Sequence, residues 1–186
     1  MKPMVESQVD ALATVAFNRA VAEHADGLKN FATRMLRDPV LAEDVAQDAF
    51  LALYRHMAEV PPAAFRPWLY RVTRNLCLDH LRRRKFKLRL FGDLQREDDE
   101  PQMTHVDQRA DRPDELAQAR ESHAAIEQAI AAMPAKFRET FLLCEVQGLS
   151  YEDAAAVLQI PVKTISTRLF RARVRFREAL RDVINV

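Results

Sequence analysis

Glycine is nearly missing from this chain of 186 residues, with 3 in total, and cysteine is scarcer still, with 2. Few glycines, together with plentiful Ala, Leu, Arg and Glu, favour helix throughout. No convincing run alternates apolar and polar residues with period two, so strands are not expected. No apolar run is long enough to cross a membrane. The first residues lack a basic start followed by an apolar stretch, so no secretory signal is expected. Cys77 and Cys144 sit in apolar surroundings with neither CxxC spacing nor paired histidines. That pattern argues against structural zinc and reads as buried free thiols, with a redox switch as the sharper alternative. No nucleophile–base arrangement, glycine-rich phosphate loop or metal-ligand cluster is recognisable, so neither catalysis, a cofactor nor a small-molecule substrate is expected. The five histidines are scattered and read as surface or partly packed side chains.

What is present is segregated charge. The net charge of +1 averages two basic blocks, Arg66–Arg89 and Lys163–Arg181, and an acidic one, Asp93–Glu121. Two basic blocks suit a polyanion, and the acidic one suits a solvated or self-masking connection. Periodicity gives a helix over Phe17–Arg37, stopped by Asp38-Pro39, since the residue before proline disfavours the α region. Residues 1–15 carry no clear pattern and read as a frayed extension. A second helix is predicted over Leu41–Met57, with Leu41, Val45, Ala49, Leu53 and Met57 inward. Glu43, Asp44, Gln47 and Asp48 lie on its other faces, where early acidic residues suit the helix dipole. After Pro61-Pro62, a third helix spans Phe65–Lys85 with Phe65, Leu69, Val72 and Leu76 as its core stripe.

Beside that stripe fall Trp68, Arg71, Asn75 and Arg82. An aromatic to stack a base, an amide for base edges and guanidiniums for phosphates make a single-strand-binding face. A core role for Trp68 fits equally well, and the run Arg82-Arg83-Arg84-Lys85 also fits a solvated helix end. Residues 92–113 lack apolar periodicity and are expected to be a flexible acidic linker. The last segment, 114–186, opens with a helix whose stripe is Leu116, Ala119, His123, Ile126 and Ile130, ending at Met133-Pro134. A short helix follows, closed by Gln147-Gly148. Ser150 with Asp153 resembles a capping box for Tyr151–Leu158. The turn Gln159-Ile160-Pro161 then leads to a basic helix burying Ile165, Leu169, Ala172, Phe176 and Leu180. Its opposite face carries Thr164, Thr167, Arg168, Arg171 and Arg175, side chains suited to base edges and phosphates. Helix, turn and basic helix form the sequence pattern of a helix-turn-helix. The residues alone leave three readings: a factor with two DNA-facing modules, a dimeric helix-turn-helix regulator, or an all-helical adaptor with solvated basic faces.

Three segments, in order, resemble bacterial RNA polymerase sigma factors of the extracytoplasmic function group. Ala42–Phe50 is similar to the helix that docks on the polymerase β′ coiled coil. Phe65–Arg84 is similar to the helix that binds and melts the −10 element. Leu158–Arg173 is similar to the −35 reading helix. The resemblance implies an all-α fold of two small domains, a region 2 bundle over 16–91 and a region 4 helix-turn-helix over 114–186. It implies core contacts at Glu43, Asp44, Gln47, Asp48 and Phe50, and −10 contacts at Trp68, Arg71, Asn75, Arg82 and Arg83. Asn75 would meet a flipped base, with the Val60–Ala64 loop helping to form its pocket. For the −35 element it implies Thr164, Thr167, Arg168, Arg171 and Arg175. Ser166 departs from the family pattern, where many relatives carry Lys or Arg. The implied partners are core polymerase (β′ and β), promoter DNA and an anti-sigma factor anchored in the membrane. The chain itself is expected in the cytoplasm with no membrane insertion.

Overall fold

The computed structural model describes residues 3–91 and 113–184, with side-chain surroundings over 14–90 and 120–181. The expected linker lies outside the described residues apart from Pro113. Every regular element among the described residues is helical, and none is long and apolar enough to cross a membrane. The chain divides into two compact units, Met1–Asp98 and Asp99–Val186.

In the first unit, α1 spans Pro3–Leu36, α2 Pro39–His56 and α3 Phe65–Phe91. The helix expected to begin at Phe17 therefore begins at Pro3, and residues 3–15 are part of it. Proline is tolerated in a first helical turn, and no other proline interrupts the sequence before Pro39. Arg37 ends α1 in the left-handed region, φ 57°, with its N–H bonded to the Thr33 carbonyl at 2.7 Å. Asp38-Pro39 does more than stop α1. The Asp38 carboxylate accepts from the Leu41 N–H at 3.0 Å, and Pro39 takes the first helical position. So α2 begins two residues before the predicted Leu41, at a capped proline start.

A short 3-10 turn, Pro62–Ala64, leads into α3, and Pro67 falls in that helix's first turn, where a missing N–H costs little. The three helices pack pairwise. Leu28, Phe31, Ala32 and Met35 of α1 meet Ala42, Val45, Ala49 and Leu53 of α2 in the core. From α3 the buried set is Phe65, Leu69, Tyr70, Thr73 and Cys77. Val72 and Leu76, predicted as core, are only half-buried. The Phe31 and Tyr70 rings meet edge to face at 5.6 Å, and burial pushes the Tyr70 phenol up to about 12.

In the second unit, α4 (Pro113–Ala132) and α5 (Ala135–Phe141) lead into a five-residue π turn, Leu142–Val146. Gly148 leaves that turn with φ 63°, a backbone shape that favours glycine. The next N–H, of Leu149, returns to the Leu143 carbonyl at 2.9 Å. Helix α6 (Tyr151–Leu158) opens on Ser150, whose hydroxyl accepts from the Asp153 N–H at 3.0 Å. Helix α7 spans Val162–Ile184 and packs on α4, α5 and α6. Its Ile165, Leu169 and Ala172 are buried among Ala129, Met133, Phe137, Leu142, Leu143, Val157 and Leu158. The expected α4 stripe holds at Ile130, which is buried, but is turned before it: His123 and Ile126 are exposed, whereas Ala125 and Ala129 are buried. Leu116 and Ala119 lie outside the described side chains.

Cys77 is buried and Cys144 is half-buried. Burial, with the Glu145 carboxylate adding to it, pushes the Cys144 thiol up to about 11. Because the thiolate is the reactive form, Cys144 should alkylate slowly at neutral pH, and Cys77 is shielded by its burial. The Cys144 labelling rate should climb about tenfold per pH unit through the alkaline range. Rapid labelling of the native protein at neutral pH would contradict this environment.

Candidate nucleic-acid interface

Three surfaces carry the residues singled out from the sequence. On α2, Glu43, Asp44, Gln47 and Asp48 are all exposed. Packing of Val45, Ala49 and Leu53 on the opposite side forces them outward. Val40, Leu51 and Tyr54 are also exposed and fall on the same side at about 100° per residue. Sequence reasoning missed these three, because an apolar residue off the predicted stripe carries no signal by itself. The surface is therefore acidic and apolar together, a fit for a partner offering basic and apolar groups. Lys29 of α1 reaches across to Glu43 at 2.7 Å, and this contact holds the Glu43 carboxyl below its usual range. Lys29, Pro39, Val40, Glu43, Asp44 and Gln47 line a shallow hollow of about 360 Å³.

Phe50 lies at the margin of this surface. It is 9% exposed, and its ring stands edge-on to Phe17 at 6.4 Å. Its side chain packs α2 against α1 and leaves only its edge open beside Glu43 and Tyr54.

On α3, burial of Leu69, Thr73 and Cys77 turns Trp68, Arg71, Asn75 and Arg82 to the far side, whereas Arg83 points in the direction of Phe65 and is open because α3 has there passed the packed part of the unit. Asn75, Arg82 and Arg83 are exposed, while Trp68 and Arg71 are half-buried. One side of the indole lies by the His56 ring, with centroids 6.1 Å apart, and the side chain is not enclosed. Arg82 touches Asp79 at 3.1 Å, an exposed pair of the kind that contributes little and yields readily to a phosphate. Val60 is buried and anchors the loop before α3. A hollow of about 380 Å³ at Pro62 is lined by Val15, Ala16, Arg19, Ala20, Glu23, His24 and Phe65, and contains neither Trp68 nor Asn75.

On α7, Thr167 and Arg171 are exposed, and Thr164 and Arg168 are half-buried. With Arg175 they occupy an arc of about 100°. The Thr167 hydroxyl donates to the Lys163 carbonyl at 3.1 Å, as helix-borne Thr commonly does. Arg175 has a second engagement: its guanidinium lies over the Phe137 ring at 4.5 Å. That cation–π contact ties α7 to α5 and limits how far Arg175 can reach. Arg173 donates to Glu145 at 2.6 and 3.1 Å, joining α7 to the π turn. Phe170, missed in the sequence, is 66% exposed and lies about 60° beyond the Thr167 edge of the arc. The span Val162–Arg177 contains no carboxylate and six basic residues. The turn before α7 places Gln159 in the left-handed region, φ 56°. The Ile160 N–H bonds back to the Ala155 carbonyl at 3.2 Å.

An acidic–apolar helix face, an aromatic–arginine helix and a basic helix-turn-helix, borne by two helical units, define a sigma-type transcription initiation factor. The comparisons agree. The family model of sigma-70 region 2 matches residues 20–87 and that of sigma-70 region 4 matches residues 123–176. The RNA polymerase sigma-H factor of Pseudomonas aeruginosa is 33% identical over 171 residues, covering 91% of this chain and 88% of that protein. SigW of Bacillus subtilis is 30% identical over 169 residues, covering 90% of each. SigE of Mycolicibacterium smegmatis is 30% identical over 177 residues, and this chain spans 64% of its length. In structure the chain is similar to the sigma factor RpoE solved with the anti-sigma factor NepR from Bartonella quintana. That likeness has a TM-score of 0.70 at 24% identity, over 89% of this chain and 96% of that one, and it supports the shared fold. The chain belongs to the extracytoplasmic function group of the sigma-70 family.

The division of α2 into a packed and an open face has a measurable consequence. Phe50→Ala should lower stability by about 3 kcal/mol, the usual cost of emptying a buried aromatic site. Asp48→Ala should stay within about 0.5 kcal/mol. Denaturant unfolding followed through the single tryptophan, Trp68, reads both. Equal destabilisation by the two substitutions would contradict the assignment of faces.

Proposed function

We propose that this chain binds core RNA polymerase and directs promoter-specific initiation, reading a −10 element with α3 and a −35 element with α7. The carrying observation is the pair of open basic faces on separate units of one chain, each within a matching sigma region. A dimeric regulator would put its second surface into self-association. Here that surface is the Trp68, Arg71, Asn75 and Arg82 face, which suits melted DNA.

Each surface has a chemical task. Glu43, Asp44, Gln47 and Asp48, joined by Val40, Leu51 and Tyr54, dock on the β′ coiled coil. Trp68 offers a stacking face, Arg71, Arg82 and Arg83 meet phosphates, and Asn75 hydrogen-bonds a base taken out of the stack. Extrusion of a base costs a few kcal/mol, and a positive, prearranged face offsets it. On α7, Arg168 and Arg171 suit guanine edges or phosphates, and Thr164 and Thr167 suit base edges. Phe170 presents an apolar surface suited to a thymine methyl. Arg175 meets phosphate from the position its Phe137 contact allows. The bond-making chemistry of RNA synthesis belongs to the polymerase.

The reading includes restraint in the cytoplasm by a membrane-anchored anti-sigma factor. Its support is the relative solved with an anti-sigma factor and two units of independent packing. Recovery of the partner from soluble extract alone would remove the membrane anchor from the proposal.

The decisive experiment is reconstitution with core polymerase on a mixed promoter library. Specific initiation should need both components. Arg168→Ala or Arg171→Ala should cut −35-dependent initiation by about 5- to 150-fold, the worth of one good base-reading pair. No initiation, with duplex binding retained in the absence of polymerase, would replace this reading with a dimeric regulator.

A further inference from the structure

Helix α3 runs on past the packed part of its unit. Every residue from Arg82 to Leu90 is exposed, six of the nine are Arg or Lys, and residues 80–91 contain no carboxylate. In the middle of this basic span Phe86 is 64% exposed. A bare aromatic among guanidiniums contributes nothing to its own unit's core.

Its position along the helix is informative. Trp68 and Phe86 are five turns apart at 3.6 residues per turn, so they share one direction from the axis, about 27 Å from each other. Arg71, Asn75, Arg82 and Arg89 lie within about 60° of that line. One face of α3 thus carries an aromatic, a guanidinium, the half-buried Val72, an amide, two guanidiniums (Arg82 and Arg83), a second aromatic, a further guanidinium and the exposed Leu90. Asp79 is the carboxylate on this line, and Arg82 holds it at 3.1 Å.

We propose that Phe86 is a second stacking platform for single-stranded DNA: the strand engaged at Trp68 continues along α3, and one of its bases stacks on Phe86. Arg82 and Arg89 flank that base and meet its phosphates. The inference rests on the single-strand reading of α3 and extends it beyond the residues assigned above. A protein partner fits less well. Leu90, exposed one turn on, falls about 40° from Phe86, whereas Leu88 points about 160° away, so the apolar surface beside Phe86 is one leucine set among guanidiniums, short of the stripe a partner helix needs. The charge is of one sign and dense, which suits a polyanion whose bases offer π faces.

The test uses the full chain assembled with core polymerase and single-stranded non-template oligonucleotides, with 2-aminopurine placed at each position in turn. Quenching is expected at a position several nucleotides from the −10 contact, and Phe86→Trp should retain it. Phe86→Ala and Phe86→Leu should abolish it and weaken oligonucleotide binding by about 5- to 150-fold. Alanine is a strong helix former at this exposed site, and circular dichroism confirms that the variant is folded. Full binding by Phe86→Ala overturns the proposal. So does a Phe86→Leu variant that binds as Phe86→Trp does, which would mark an apolar contact with polymerase. Weakening by Trp68→Ala alone would refute the Phe86 extension and keep the single-strand reading. No effect from either aromatic would remove the single-strand reading itself.

Discussion

The rotation of α3 about its own axis is set by burial of Phe65, Leu69, Tyr70, Thr73 and Cys77 against α1 and α2. The direction of the polar groups on the packed part of α3 follows from that rotation. With those five inward, Asn75 and Arg82 face solvent, and Trp68 and Arg71 sit at the margin. Had Val72 and Leu76 taken the core positions instead, the outward arc would have moved round the helix with them. The apolar contacts of α3 carry no sequence-reading role, yet they decide which polar groups can.

The second unit solves the same problem with more ties. Ile165, Leu169 and Ala172 seat α7 in the core. Around them, Arg173 grips Glu145, Arg175 lies over Phe137, and the Phe141 and Phe176 rings meet at 4.8 Å. Exposed ion pairs and cation–π contacts are individually weak. Their value here is directional, since each holds a different side of a helix that must present its Thr–Arg arc at a fixed angle. Some of the basic residues of α7 are thereby struts, and charge alone does not tell them from DNA contacts.

Both units hold non-glycine residues in the left-handed region, Arg37 between α1 and α2 and Gln159 between α6 and α7. Such a conformation costs roughly 1–2 kcal/mol for an L-residue. The helix packing on either side over-determines both turns. Gln159 matters more for function, because its turn sets how α7 leaves α6. The acidic–apolar face of α2 is placed more simply, by a capped start at Asp38 and a row of inward alanines and valine.

Much was legible from the residues in order: helices throughout, the inward face of α2, the Ser150 cap, the Gly148 exit and the helix-turn-helix. Each rests on local physics, in which a cap, a breaker or a sustained period states its own meaning. The polar sets on α2, α3 and α7 were legible too, because charge and amide groups at helical spacing leave few other homes. The length of α1 was not, since residues 3–15 lack the apolar contrast that marks a packed helix. The burial of Phe50 against Phe17 was not legible either, because a motif names positions without naming their packing. The choice of Thr73 and Cys77 over Val72 and Leu76, and the turned stripe of α4, depended on neighbours. A small side chain can outrank a larger apolar one where helices approach closely. The sequence by itself determined which segments become helices and which chemistry each bears. Only the tertiary structure decided which way each helix turns and which arginines are struts, because those follow from packing between residues distant in the chain.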